Sequence, residues 1–130
     1  MKQFLRNWWL TATATAIILW LTLAPHPIPE NNLPLFHDAD KLVHALMMAT
    51  LTVTAMHDLS KSRKESTKKM TAGTFATVII CIVVFSALDE YAQSTMGIGR
   101  SGDIYDFLAD LGGIITAGCG TFLIFSRKNR

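Results

Sequence analysis

Cysteine is scarce in this chain of 130 residues, which contains only Cys81 and Cys119. Each lies in the middle of a different apolar segment, where we expect the thiol to be buried and to behave as a small hydrophobic side chain. The sequence therefore predicts neither a disulfide nor a catalytic cysteine. It also lacks low-complexity stretches and internal repeats, and its length predicts a single domain over residues 1–130.

Charged residues make up only 17% of the chain, whereas 50% of its residues are hydrophobic. This hydrophobic share is too high for a small soluble domain and is typical of a helical bundle surrounded by lipid. The charges are also segregated: eight of the ten acidic residues flank one end of four apolar segments, and ten of the twelve Lys and Arg residues flank the other. Lys41 and Arg100 are the two positive residues on the acidic side.

This segregation predicts an orientation, because Lys and Arg residues are poorly translocated across a membrane. We expect the basic side to be cytoplasmic, with both termini on that side. The basic residues flank hydrophobic segments and form no continuous surface, which argues against nucleic acid as a partner. Anionic membrane lipids are the partner that we expect for them.

The predicted fold is an all-α, four-span transmembrane helix bundle, with spans at about 8–24, 42–59, 72–92 and 104–125. Each span is close to the roughly 20 residues that a helix needs to cross a bilayer core. Helices also satisfy their own backbone hydrogen bonds in lipid, which an open sheet does not. The first segment has the basic start of a signal peptide, but Pro25 would hinder cleavage, so we interpret it as an uncleaved span. Residues 60–71 are expected to form a short basic hairpin.

Small residues recur at every fourth position of the last span in two stripes: Ala109, Gly113 and Ala117, and Gly112, Thr116 and Gly120. Such stripes let helix backbones approach closely in lipid. We predict that this span is central to the bundle and that the stripes pack within the chain, with oligomerisation as the alternative.

The polar residues at the acidic ends of the spans form the candidate site. Asp103 fits a helix N-cap, whereas Asp106 and Asp110 lie deeper in the span, where polar side chains usually face the bundle interior. Asp89 lies about 100° from Glu90 around a helix, so the two cannot face the same point. A purely structural ion-pair network is the alternative to a functional site. We predict an outward-facing ligand site formed by Asp40, Lys41, His44, Glu90, Gln93, Arg100, Asp103 and Asp106.

These residues occur in a recognisable order. The chain contains Asp40-Lys41-x-x-His44, then Glu90-x-x-Gln93, Gly99-Arg100, Asp103-x-x-Asp106 and Gly112-Gly113. Over about residues 40–125 this order resembles the VanZ-like family of small bacterial membrane proteins. The resemblance implies an integral protein of the bacterial plasma membrane and cell envelope, linked to resistance to the glycopeptide teicoplanin. Where the family often has Asn, this chain has Asp110, which adds a negative charge.

Two functions are compatible with the candidate site. In the first, the site recognises a ligand without catalysis: Lys41 and Arg100 hold an anionic headgroup, since Arg offers paired planar donors to phosphate. A lipid-linked cell-wall precursor or a glycopeptide would be that ligand. In the second, the protein is a membrane-embedded hydrolase or transferase acting on such a precursor. Its catalytic candidates are Glu90, Asp106 and His44, as acid/base groups or as metal ligands.

The sequence predicts no obligatory cofactor, although a divalent cation could bind Glu90, Asp106, Asp110 and His44 through oxygen and imidazole ligands. Ser94 and Ser101 lie near the candidate site but show no activating pattern for a nucleophile. Ion or proton transport is a third function, and it is disfavoured because the polar residues stop in the outer third. Below them, residues 75–85 of the third span offer nothing that carries a proton onward.

Overall fold

A computed structural model describes residues 6–24, 39–65, 71–96 and 103–128, and these residues form four helices without strands. The helices are α1 (Trp9–Leu23), α2 (Ala39–Glu65), α3 (Ala72–Thr95) and α4 (Ile104–Lys128). The predicted all-α fold is therefore confirmed. The predictions for Pro25, Arg100 and Ser101 fall outside the described residues.

Three of the four helices, α2, α3 and α4, are long and apolar enough to cross a membrane. The helix α1, which corresponds to the first predicted span, has 15 residues. At 1.5 Å per residue it is about 22 Å long, shorter than a hydrocarbon core of about 30 Å. It packs along α2 and also contacts α3.

The prediction of a hairpin beginning at residue 60 was wrong, because α2 continues to Glu65. Lys, Arg and Glu all favour helix, and Arg63 and Lys64 in the last turn complement the negative end of the helix dipole. At the start of α3, the Thr71 side chain accepts a hydrogen bond from the backbone N–H of Thr74 at 3.2 Å. This cap explains why α3 begins at Ala72, the predicted residue.

The bundle has an apolar exterior and many polar side chains inside. Large hydrophobic residues such as Ile80, Leu88 and Ile115 are exposed on the outer surface. A small apolar core lies at mid-height and consists of Ile18, Met48, Leu51, Ala55, Ile82 and Ile114. Polar residues fill the interior towards both ends of the bundle. This arrangement suits a protein whose surroundings are lipid, where apolar side chains need no burial and polar ones face the interior.

The most extensive contact between two helices joins α2 and α4. Gly113 allows the two backbones to approach closely. A Cβ atom at Gly113 would overlap the backbone carbonyl of Ala45 on α2. The predicted packing of this small-residue stripe within the chain is therefore confirmed at Gly113. Cβ atoms at Gly112 and Gly120 would meet nothing within 4 Å, so the second stripe faces outward.

The cysteine prediction needs one correction. Cys81 and Cys119 are free thiols, as expected, but both are exposed on the helix surface rather than buried. A residue in an apolar helix can face lipid as well as the bundle interior. The apolar neighbours of Cys81 and Cys119 in the sequence therefore did not indicate that the thiols are buried.

Candidate functional site

Three helices bring pairs of polar residues to one end of the bundle, where α2 and α4 begin and α3 ends. Within each pair the two residues are four positions apart and so share a helix face. We call this group the acidic-end cluster; it consists of Asp40 and His44 on α2, Ser86 and Glu90 on α3, and Asp106 and Asp110 on α4. All of these residues are buried except Asp40, which is exposed.

The imidazole of His44 lies at the centre of this cluster. Its Nδ1 atom is 3.2 Å from Oδ1 of Asp110 and 3.5 Å from Oε1 of Glu90. The other carboxylate oxygen of Asp110, Oδ2, accepts a hydrogen bond of 2.6 Å from the Ser86 hydroxyl. Asp110 is therefore held from two sides, by α2 and by α3.

The order of these contacts argues against Ser86 as a nucleophile. In a Ser–His–Asp triad the imidazole accepts the serine proton, and the carboxylate lies behind the imidazole. Here the Ser86 hydroxyl donates to Asp110, and Asp110 separates it from His44. Ser86 is thus a positioning residue for the Asp110 carboxylate.

Glu90 differs from the other buried members of the cluster because its carboxylate is unsatisfied. The residue is 9% exposed, and neither carboxylate oxygen makes a well-aligned hydrogen bond with a described residue, although the backbone of Asp103 and the imidazole of His44 lie nearby. Buried polar atoms in proteins usually have a hydrogen-bond partner. This carboxylate is therefore the member of the cluster with unused capacity to accept hydrogen bonds.

A cleft between α3 and α4 leads to Glu90. It has a volume of about 280 Å³, and Glu90, Ser94 and Asp103 contribute polar groups to its lining. Tyr91, Ile104 and Phe107 contribute apolar surface. Glu90 is therefore the member of the cluster that lines this cleft, and its carboxylate oxygens are buried behind the cleft surface.

The outer part of the cluster is formed by Asp40 and Asp106. Each of these residues and His44 offers a potential ligand atom, and the three atoms lie within 4.8 Å of one another. Lys41 is half-buried at the start of α2 and interacts electrostatically with Asp106. Lys41, one of the two positive residues predicted for this end, therefore interacts with an acidic residue of the cluster.

Two of the predicted site residues have other roles. The Gln93 amide donates to Oδ2 of Asp89 at 3.2 Å, and Thr22 of α1 donates to Oδ1 of Asp89 at 2.9 Å. Asp89 and Glu90 therefore have different partners, in keeping with their separation around the helix. Asp103 accepts a hydrogen bond from the backbone N–H of Tyr105 at 3.1 Å, so it caps α4 and also lines the cleft.

The sequence-based prediction missed two groups. Ser86 was not considered, although its position four residues before Glu90 was the available signal. Asp58 was also missed: it is 1% exposed and lies at the opposite end of the bundle. Its Oδ2 atom accepts hydrogen bonds of 2.9 Å from the backbone N–H and from the hydroxyl of Thr11.

A bundle with three membrane-spanning helices, an apolar exterior and a buried polar cluster defines an integral membrane protein. Its family is also clear, since the VanZ/LLP1 family model matches residues 3–126. The chain therefore belongs to the VanZ/LLP1 family, and the match includes α1 in addition to the residues 40–125 on which the resemblance was based. No curated protein and no solved structure matches the chain.

Proposed function

We propose that this VanZ-like protein acts in the bacterial cell envelope and that its acidic-end cluster binds the polar headgroup of a lipid-linked ligand. The observation that supports this proposal is the cleft between α3 and α4. It is lined by residues of both helices, among them Glu90, a buried carboxylate without a well-aligned hydrogen bond to a described residue.

The lining of the cleft suits an amphiphilic molecule. Its apolar residues Tyr91, Ile104 and Phe107 would contact hydrocarbon, while Glu90, Ser94 and Asp103 would contact polar groups. Carboxylate oxygens are strong acceptors for the hydroxyl and amide groups of sugars and peptides. An anionic group on the same ligand would be bound by the positive residues at this end, Lys41 and Arg100.

The expected orientation supports an envelope role. If the basic side is cytoplasmic, the acidic-end cluster lies at the outer leaflet of the plasma membrane. Lipid-linked cell-wall precursors are amphiphiles of this kind, and teicoplanin carries an acyl chain of its own. The proposed outcome of binding is a change in how the cell responds to glycopeptides, in line with the family's link to teicoplanin resistance.

The test is teicoplanin susceptibility in a bacterial strain that lacks its own copy and expresses the protein at matched membrane levels. We expect Glu90→Gln, Arg100→Ala and Asp106→Asn to lose the protection given by the unmodified protein. Asp89→Asn is the matched control, because Asp89 is equally buried but bonds to Thr22 and Gln93. Equal protection by all four variants would contradict the site, and no protection by the unmodified protein would contradict the antibiotic role.

A second candidate function, hydrolysis or group transfer on a lipid-linked precursor, is favoured by the surroundings of His44. Its Nδ1 atom lies between two carboxylates, those of Asp110 and Glu90, an arrangement that orients an imidazole for acid/base work. In this case Glu90 and Asp106 would be the further acid/base groups. Product release from a lipid-linked precursor by the purified protein, lost in His44→Gln, would favour catalysis over recognition.

A further inference from the structure

We propose that His44, Glu90 and Asp110 bind a divalent transition-metal ion, and that Zn²⁺ fits the three ligands best. This inference adds a cofactor to the site described above. It rests on the proposed function only for what the ion would do there, since metal binding itself depends on the three side chains alone.

The spacing of the three side chains is that of a metal site. Their ligand atoms all lie within 4.8 Å of one another. Nδ1 of His44 is 3.2 Å from Oδ1 of Asp110 and 3.5 Å from Oε1 of Glu90. Around a tetrahedral Zn²⁺ with bonds of about 2.0–2.2 Å, neighbouring ligand atoms are roughly 3.3–3.5 Å apart. An ion could therefore bind with little rearrangement of these side chains.

Glu90 supplies the independent evidence that the cluster takes a ligand. Both of its carboxylate oxygens are buried, and within the described part of the chain neither accepts a hydrogen bond. Burying a carboxylate without well-formed hydrogen bonds is unfavourable, and the His44 imidazole lies 3.5 Å from Oε1. A cation bound between Glu90, Asp110 and His44 would satisfy the carboxylate.

The carboxylate of Asp110 is oriented for the same ion by a hydrogen bond from α3. Its Oδ2 atom accepts the 2.6 Å hydrogen bond from Ser86, which leaves Oδ1 directed at His44. Metal-binding carboxylates are commonly oriented by such a neighbouring donor. Asp110 would therefore contribute a charged ligand whose orientation Ser86 fixes.

The ligand set selects the class of ion. One imidazole and two carboxylates suit Zn²⁺ and similar first-row ions, whereas Mg²⁺ and Ca²⁺ prefer sites built from oxygen alone. His44 also forms a group with Asp40 and Asp106, but Asp40 is exposed. We assign the ion to the inner group because all three of its members are buried.

A bound ion would also explain how a cluster of acidic residues can bind an anionic ligand. Asp40, Glu90, Asp106 and Asp110 place four carboxylates together, which would repel a phosphate group at short range. A divalent cation would neutralise part of this charge and attract phosphate oxygens. The same site would then accept a phosphate-containing headgroup through the cleft.

The experiment measures Zn²⁺ binding to the full-length protein, purified in detergent and stripped of metal. Titration calorimetry and elemental analysis should show about one Zn²⁺ per chain, as expected for one set of three protein ligands with a fourth position open. We expect Glu90→Gln and Asp110→Asn each to weaken binding by more than about tenfold, and Ser86→Ala to weaken it by roughly tenfold. Asp89→Asn should bind as the unmodified protein does. Circular dichroism should show the same helical content in all variants.

Three results would overturn the assignment. The first is an unmodified protein that binds no Zn²⁺. The second is equal weakening in Asp89→Asn. The third is loss of binding in Asp106→Asn with full binding in Glu90→Gln, which would move the ion to the outer group. Because Zn²⁺ is the only ligand added, a protein that binds Zn²⁺ but gives no teicoplanin protection contradicts only the envelope function. Protection without metal binding contradicts only the metal site.

Discussion

Two buried carboxylates at opposite ends of the bundle have opposite surroundings. Asp58 accepts two hydrogen bonds of 2.9 Å from Thr11 through Oδ2, and its Oδ1 atom lies 3.3 Å from Nδ1 of His57. Glu90 accepts none from the described residues. Asp58 also satisfies a backbone N–H in the first turn of α1, where the helix dipole favours negative charge. Asp58 therefore joins α1 to α2, whereas Glu90 only approaches the imidazole of His44, at 3.5 Å.

This difference shows that burial alone does not identify a functional acid in a membrane bundle. Asp58, Asp89 and Glu90 are all buried, and the first two are held by hydrogen bonds that fix one helix against another. The unsatisfied carboxylate is the one that faces a cleft. Hydrogen-bond satisfaction separates the structural carboxylates from the candidate site, and substitutions at each end of the bundle can test this distinction.

The largest effect on stability is expected from Gly113→Leu, which tests whether close packing of α2 and α4 maintains the acidic-end cluster. Gly113 is one turn from Asp110, and Ala45, which it contacts, follows His44. A side chain there must push the helices apart, at a cost of about 3 kcal/mol or more. Unfolding of the purified protein in increasing SDS measures the change in stability.

Gly112→Leu is the control for this substitution, because a Cβ atom at Gly112 meets nothing within 4 Å. We expect its stability to stay close to that of the unmodified protein. Equal destabilisation by the two substitutions would contradict the packing of α2 against α4 at Gly113.

The next largest effect is expected from Asp58→Ala. This substitution removes the acceptor of two hydrogen bonds and leaves a half-buried N–H at the start of α1 without its partner, for a loss of about 1–3 kcal/mol. The loss should appear in the same SDS assay, while Zn²⁺ binding by the folded protein stays unchanged. A large loss of Zn²⁺ affinity would show that the two ends of the bundle are coupled.

The sequence predicted the helix ends well where a local signal marked them and poorly where none did. The starts of α3 and α4 agree with the predicted apolar runs; Asp103 was predicted as the cap of α4, and the structure adds Thr71 as the cap of α3. The end of α2 was not predicted correctly, because the charged residues 61–65 resemble a loop when hydropathy is the main signal. Their high helix propensity was the better indicator.

For the site, charge within a span was the useful signal. Glu90, Asp106 and His44 were predicted as candidates, and the structure places them together with Asp110. Ser86 was not predicted, since a serine in an apolar run usually bonds to its own helix backbone. Asp58 could not be recognised from its neighbours either, because its partner Thr11 is 47 residues away in sequence. Contacts between distant residues determine which polar groups are satisfied, and no local pattern encodes them.

A smaller effect is expected from Thr22→Val, which removes a donor to Asp89 and keeps the shape of the side chain. Hydrogen bonds between membrane helices contribute about 0.6 kcal/mol on average, and Gln93 remains as a second donor to Asp89. The SDS assay should therefore show a loss of that order, with teicoplanin protection retained. Loss of protection at normal stability would mean that Asp89 and Thr22 belong to the functional site.

The smallest effect on stability is expected from Glu90→Gln. This substitution is the most direct test of the difference between Glu90 and Asp58. Glutamine keeps the size of the side chain and removes a charge that accepts no hydrogen bond from the described residues. We therefore expect the free energy of unfolding to stay within about 0.5 kcal/mol of the original value, or to rise. Asp58→Asn is the matched change at the other end, and it should destabilise the protein because a neutral amide oxygen accepts the two Thr11 hydrogen bonds more weakly than a carboxylate does and loses the attraction to the start of α1. Teicoplanin protection and Zn²⁺ binding should show the reverse order, with loss in Glu90→Gln and retention in Asp58→Asn. If Glu90→Gln destabilises the protein as much as Asp58→Asn does, Glu90 is a structural residue like Asp58 and the acidic-end cluster loses its strongest evidence for a ligand.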